Sequence, residues 1–364
     1  MLSRDALRSL CVELQSSGIR FPGAVPGRAG GAGPADSRVI IIDGFCLSVP
    51  ACGWFVAESP YSAEPDGTGG FRLYSCGDEL CALQTPEPPE LYLHSTDSGI
   101  SYEKLARIHG RDCLASTLYQ DCRYRTAGRQ CQFCGIGLSL ADGSTVLQKE
   151  PQDLSEVARY AALTEQASHV TLTSGSREDE HASAEHLAGC VRMIKQHSGL
   201  PVHIQICPPK STDVLKQLQA AGADTIGIHI ETFCMETLKR VAPAKAAYGL
   251  QRYIAAWQQA VELFGNNQVS SFLIAGLGEP VSSLIDGARQ LCRIGVYPYV
   301  LPLRPVPGTP FENKRPPEAR EMIELYGAVA AVLKEYGMTS KAMRAGCVRC
   351  GACSCLSLFE DGTL

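Results

Sequence analysis

Three cysteines fall within one short stretch, STLYQDCRYRTAGRQCQFCGIG (116–137): Cys122, Cys131 and Cys134, in the pattern C-x8-C-x2-C. A closed structural zinc site takes four ligands, so three thiolates suggest a different centre. A cubane iron–sulfur cluster held by three thiolates keeps one iron open to a substrate or cofactor. The pair three residues apart is the demanding part, because it lets two thiolates reach adjacent irons from one turn. Arg123, Arg125 and Arg129 would offset the thiolate charge and lower the thiol pKa values. Zinc with His109 or Cys113 as a fourth ligand is the alternative, and Cys113 is also the rival to Cys122 as first cluster ligand.

A second group, RAGCVRCGACSC (344–355), places Cys347, Cys350, Cys353 and Cys355 at x2, x2 and x1 spacing. Runs of C-x2-C-x2-C suit iron–sulfur ligation, whereas zinc knuckles more often come as two C-x2-C pairs separated by a longer insert. Zinc, or a redox-active or unligated tail, remains an alternative. If Cys355 is not a ligand, this centre too has an open iron; if all four bind, a structural or electron-relay role follows. The other ten of the 17 cysteines sit singly and read as small buried hydrophobes.

These groups need elements to hold them. From about residue 113 apolar strand runs alternate with amphipathic helices. The strand candidates are 114–120, 169–174, 201–207, 225–231, 268–276 and 296–304. STDVLKQLQAAG (211–222) is typical of the helices, with Ser211 or Thr212 as N-cap, Val214, Leu215 and Leu218 apolar, and Gly222 as the stop. Six β/α units in series predict an α/β fold: a parallel sheet curled into a partial (β/α)6 TIM-like barrel. Chemistry in such folds sits in the loops after the strands, and the first cysteine group follows the first strand. Residues 1–110 read as a small N-terminal α+β domain, 111–340 as the barrel and 341–364 as a cysteine-rich tail. Turns fall at Asp43-Gly44, Asp66-Gly67 and Gly77-Asp78. The GRAGGAGP loop (27–34) could cradle an anion with backbone amides, although no helix follows it and a plain loop is the simpler reading.

Bulk composition excludes several classes. A net charge of −5 without a long basic block argues against a nucleic-acid surface. No apolar run reaches the roughly 18 to 20 residues of a membrane span. The N-terminal segment carries Leu7, Leu10 and Leu14 on one helical stripe with charges between, unlike a signal peptide. A cytoplasmic location is expected, where thiols stay reduced and ligation explains clustered cysteines.

The loop resembles the signature of the radical SAM superfamily, three cysteines in the first strand-to-helix loop of a partial β/α barrel, commonly spaced C-x3-C-x2-C with an aromatic before the last. Phe133 fills that aromatic place, while the first spacing is longer here. The resemblance implies a 4Fe-4S cluster that binds S-adenosylmethionine and cleaves it reductively to a 5′-deoxyadenosyl radical. It implies further contacts: Thr173, Ser174 and Gly175 in LTSGS at the methionine end, without the usual acidic residue; Glu231 in GIHIET at the ribose or methionine; and Gly276 and Gly278 in LIAGLGE beside the adenine. LPLRPVPGTPFEN is similar to the ending of the biotin synthase and lipoyl synthase branch, with Arg304 placed to meet a carboxylate. A reducing partner such as flavodoxin or ferredoxin is implied too.

Over nearly the whole chain, GRAGGAGP, HGRDCLAST, CQFCGIGLSLA, VTLTSG, GIHIETF, PLRPVPGTP and RAGCVRCGACS resemble the radical SAM proteins encoded beside nitrilases in bacterial gene clusters. The expected activity is radical catalysis on a small metabolite, with a second cluster expected in the tail. The alternatives are sulfur insertion with that second cluster as donor, and a non-enzymatic zinc-bound scaffold.

Overall fold

The computed structural model describes residues 2–23 and 37–360. The GRAGGAGP loop lies outside them. The N-terminal part begins with a helix, Arg4–Ser17, whose Ser3 side chain accepts from the Ala6 amide and whose end is marked by Gly18 at φ 74°. Strands β1 (Ser37–Ile42) and β2 (Phe45–Pro50) form an antiparallel hairpin turned by Asp43 and Gly44 at φ 46° and 83°, the double left-handed turn that matches strand twist. Strands β3 (Tyr61–Pro65), β4 (Phe71–Ser75) and β5 (Asp78–Leu83) make a three-stranded antiparallel sheet.

The main sheet has seven strands in the order β12-β11-β10-β9-β8-β7-β6. Six are parallel: β7 (Cys113–Thr117), β8 (His169–Thr173), β9 (Val202–Ile206), β10 (Thr225–Ile228), β11 (Val269–Ala275) and β12 (Val296–Pro302). They occupy the six apolar runs seen in the sequence, which are nearly continuous because both faces are covered. The short β6 (Arg107–His109) is antiparallel to β7 and extends the sheet at one edge, so the segment before residue 110 contributes to the barrel wall. Order and pairing give the open α/β half-barrel that six units imply, with β12 and β6 as its free edges.

Helix ends follow local chemistry. Asp179 caps Glu180–Ser198 by accepting from the Ala182 amide at 2.9 Å, and Gly199 ends that helix in the left-handed region. Before Asp213–Ala220, Thr212 occupies the N-cap position while the Ser211 hydroxyl accepts from the Asp213 amide. The expected strand 225–231 stops at Ile228; Glu231 instead takes φ 71° and bridges to Leu273.

The tail is threaded into the rest of the molecule. The Thr225 hydroxyl donates to Ala345 O, Ser354 Oγ donates to Val300 O at 2.6 Å, and the Ser48 amide of β2 donates to Ala352 O. Gln15 of the N-terminal helix donates to Cys353 O at 2.9 Å. One hydrophobic core therefore runs from Leu10 through the barrel to Leu356.

Candidate active site

The loop after β7 carries Cys122, Cys131 and Cys134 and is held from several sides. The Asp121 carboxylate accepts from the Cys122 amide at 2.8 Å and from Arg125 Nε at 3.0 Å. Gln132 donates its amide to Val241 O, and its carbonyl accepts from the Phe311 amide. Beneath the loop the fully buried Lys149 ammonium donates to Gln120 Oε1, Thr145 Oγ1 and Val146 O, and Gln120 donates in turn to Ile136 O. A buried ammonium with three acceptors is a satisfied anchor rather than a free charge.

The three sulfurs open onto one chamber of about 430 Å³, walled also by Phe133, Thr173, Ser174, Gly175, Glu231 and Arg304. Burial pushes the Cys131 thiol up to about 12 and raises Cys134 as well, with the Lys245 ammonium opposing both. That cation is Lys245 and not the expected arginines: Arg123 and Arg129 lie over the Tyr124 ring and Arg125 pairs with Asp121. Lys245 sits in the short helix Pro243–Ala246, far from the loop in sequence, and no local pattern marks it. Burial alone would lower its pKa; Glu231, Tyr253, Cys131 and Cys207 together raise it. It donates to Glu231 Oε1 and to His229 O, while Glu231 Oε2 has no partner though fully buried.

Gly175 has a steric reason. A Cβ there would lie 1.6 Å from Asp121 O, beside Cys122, and the Gly175 amide donates to Tyr119 O. The loop after β8 thus presses directly on the cysteine loop. Gly175→Ala is expected to displace that loop, costing about 3 kcal/mol, the upper end of the usual overpacking range, and lowering reconstituted iron in parallel; an unfolding midpoint and iron content equal to wild type would refute this. Gly276 and Gly278, at φ 93° and 110°, do not line the chamber. Their missing side chains make room for Pro317 and Leu303, and for Arg240 Nη2, respectively. Arg304 lines the chamber but donates to Ser48 O and Oγ, and stands beside Cys353.

The tail cysteines divide. Cys347 and Cys350 sit one turn apart in the short helix Cys347–Cys350, closed by Gly351 at φ 69°. Cys347 and Cys353 line the same chamber as the first group, and Cys350 lines a second cavity on the outer side. All three are half-buried residues that line one or other of these cavities. Cys355, expected as a fourth ligand, is turned into the core beside Cys11 and Tyr326. Ser354 explains the turn: it is tied to Val300 O and caps the helix Leu356–Glu360 by accepting from the Leu356 amide. Cys113 does not approach the first group, since it begins β7 and lies about 13 Å of strand below the cysteine loop. It meets Cys350 instead.

No three His, Cys, Asp or Glu side chains among the described residues could hold a single metal ion. A zinc site would need its ligands within about 2.3 Å of one point, whereas the thiolates of a polynuclear cluster each bind a different iron and stand further apart. The donor chemistry, the partnerless Glu231 oxygen and the open chamber fit a cluster with a bound ligand.

A three-thiolate loop at the C-terminal ends of a parallel half-barrel defines a class of cluster-dependent β/α-barrel enzymes. Residues 118–291 match the model of the radical SAM superfamily, a family of enzymes. This removes the non-enzymatic scaffold. Among curated relatives, the chain is 23% identical over 320 residues to the bacteriochlorophyllide c C-7(1)-hydroxylase of Chlorobaculum limnaeum, covering 82% of this chain and 78% of that protein. It is 26% identical over 171 residues to the lipoyl synthase of Ectopseudomonas mendocina (strain ymp), covering 46% of this chain and 47% of that enzyme. The crystal structure of methylornithine synthase aligns with a TM-score of 0.48 at 17% identity, covering 67% of this chain and 70% of that one. No helix of the described residues is long and apolar enough to cross a membrane.

Proposed function

We propose that Cys122, Cys131 and Cys134 hold a 4Fe-4S cluster with one iron open to S-adenosylmethionine, and that Cys347, Cys350 and Cys353 hold a second cluster. The substrate, a small metabolite, lies in the chamber between them. The observation that carries this reading is a single chamber walled by cysteines of both groups. Its volume lies within the range of small-molecule sites, about 300–1,000 Å³. When bound, the first cluster and S-adenosylmethionine supply a 5′-deoxyadenosyl radical.

The chain's own residues bind, orient and exclude water. Glu231, held by Lys245, presents its second carboxylate oxygen to a hydroxyl or ammonium donor of the ligand. Thr173 and Ser174 offer hydroxyls beside the first cysteine group, and Phe133 walls it. Phe272, Tyr299 and Leu301 give the middle of the chamber an apolar lining that shields a reactive intermediate. Gly276 and Gly278 would shape the adenine end through their loop. Arg304 would meet a carboxylate of the substrate near the tail centre. A one-electron reductant such as flavodoxin or ferredoxin completes the system.

We further propose, from the sequence stretches named above, that the enzyme is of the kind encoded beside nitrilases. Sulfur insertion remains the second reading, favoured by the second cysteine group facing the same chamber and by the lipoyl synthase similarity. Sulfide counted before and after one turnover separates the two, because a sacrificed cluster loses it stoichiometrically. The function is tested by anaerobic reconstitution and S-adenosylmethionine cleavage with candidate metabolites, following coupled 5′-deoxyadenosine release. Cys350→Ala is expected to keep uncoupled cleavage within about twofold of wild type while product falls to background. Equal loss of both would show that the division of roles is wrong.

A further inference from the structure

We propose that Cys113 is the fourth thiolate of the tail centre, which is then built by Cys113, Cys347, Cys350 and Cys353 and excludes Cys355. This rests on the two-cluster reading above and sharpens it. Cys113 is the first residue of β7 and is 2% exposed. Its Sγ lies 3.2 Å from Thr171 Oγ1, and it pairs with His109 across the β6–β7 register. Cys350 Sγ is in turn 3.6 Å from His109 O, and a Cβ on Gly110 would come within 2.8 Å of it. The turn between β6 and β7 therefore uses a glycine at φ 60° to admit the Cys350 sulfur beside the strand that carries Cys113.

The other members come from different elements and converge on the same place. Gln205 of β9 donates its side-chain amide to Cys347 Sγ at 3.3 Å. Cys353 lines the chamber together with Arg304, which lies just past β12. The tail is fastened there by the Ala345 and Ser354 hydrogen bonds, and Gly346 packs so tightly on the His203 ring that a Cβ would lie 2.4 Å from Cγ. Cys46 of β2 is the other thiol within range, but it is engaged by Arg111 and opens on the outer cavity. Four thiolates close an iron–sulfur centre. A closed centre has no iron to offer a substrate, so its role is to pass electrons or to fasten the tail across the barrel.

The test uses the full chain with Cys122, Cys131 and Cys134 all changed to Ala, so that only the tail centre can load. After anaerobic reconstitution, iron, sulfide and the EPR spectrum of the reduced protein are measured. Adding Cys113→Ala is expected to lower iron at least threefold and shift the EPR signal, with circular dichroism unchanged; adding Cys355→Ala or Cys46→Ala is expected to leave iron and signal as they were. A Cys113→Ala protein with the parent's iron and spectrum overturns the assignment, as does loss of the centre in either control. Should Cys113→Ala fail to fold, the parent alone decides: added cyanide leaves the signal of a closed centre unmoved, and a shift reveals an open iron and refutes four-thiolate ligation. A parent that binds no iron refutes the two-cluster reading itself, and the assignment falls with it.

Discussion

Cys131→Ala is expected to reduce S-adenosylmethionine cleavage to background and to remove one cluster's iron, leaving that of the tail centre. Cys131 stands at the middle of the loop: its carbonyl accepts from the Cys134 amide, and its neighbours in charge are Lys245, Cys134, Glu231 and Cys207. Burial pushes its thiol up to about 12, so the thiolate is disfavoured unless iron binds it. In the proposed centre an alanine there takes away one of three ligands, and no other residue of the loop can supply a thiolate. Cys292→Ala is the comparison, because Cys292 is buried on the outer helix Val281–Ile294, away from the chamber, and burial pushes its pKa to about 12 as well. That change should cost packing energy alone and leave iron and cleavage intact. Iron content and 5′-deoxyadenosine release, measured together on both variants, decide it; residual cleavage in Cys131→Ala above a tenth of wild type would refute the ligand assignment.

Lys245→Met should cost about 3–5 kcal/mol of stability, the usual result of stranding one member of a buried ion pair. The Lys245 and Glu231 side chains are 18% and 5% exposed, and Lys245 also satisfies His229 O. Without the ammonium, Glu231 is left buried beside a chamber of thiols with no cation paired to it. The double variant Lys245→Met, Glu231→Gln should regain most of the lost stability, since two neutral groups replace two charges, but not S-adenosylmethionine affinity, which the proposed function assigns to the carboxylate. Denaturant unfolding with calorimetric binding separates these outcomes. A single variant within about 1 kcal/mol of wild type would show that the pair is solvated enough to be of little consequence.

Much of this was legible in the sequence because it is local. Apolar runs such as VHIQI and TIGIHI announce buried parallel strands, and Asp43-Gly44 announces a hairpin, from the chemistry of neighbouring residues. The first cysteine loop was equally plain, since its spacing alone limits what it can bind. Glu231 was found by its place after a strand, yet its left-handed backbone and its partner Lys245 were not, because fourteen residues of chain separate the two.

What the residues determined by themselves, then, is the order of strands and helices, the loop with three thiols, and a tail rich in more of them. Which thiols share a site was decided only by folding. Cys355 has the spacing of a ligand but is turned to Cys11 once Ser354 is bound to β12, and Cys113 reads as a rival ligand of the first group until the tail lays Cys350 against it. Spacing reports on neighbours within a turn or two, whereas a centre assembled across β7, β9, β12 and the tail depends on long-range packing that no short segment encodes.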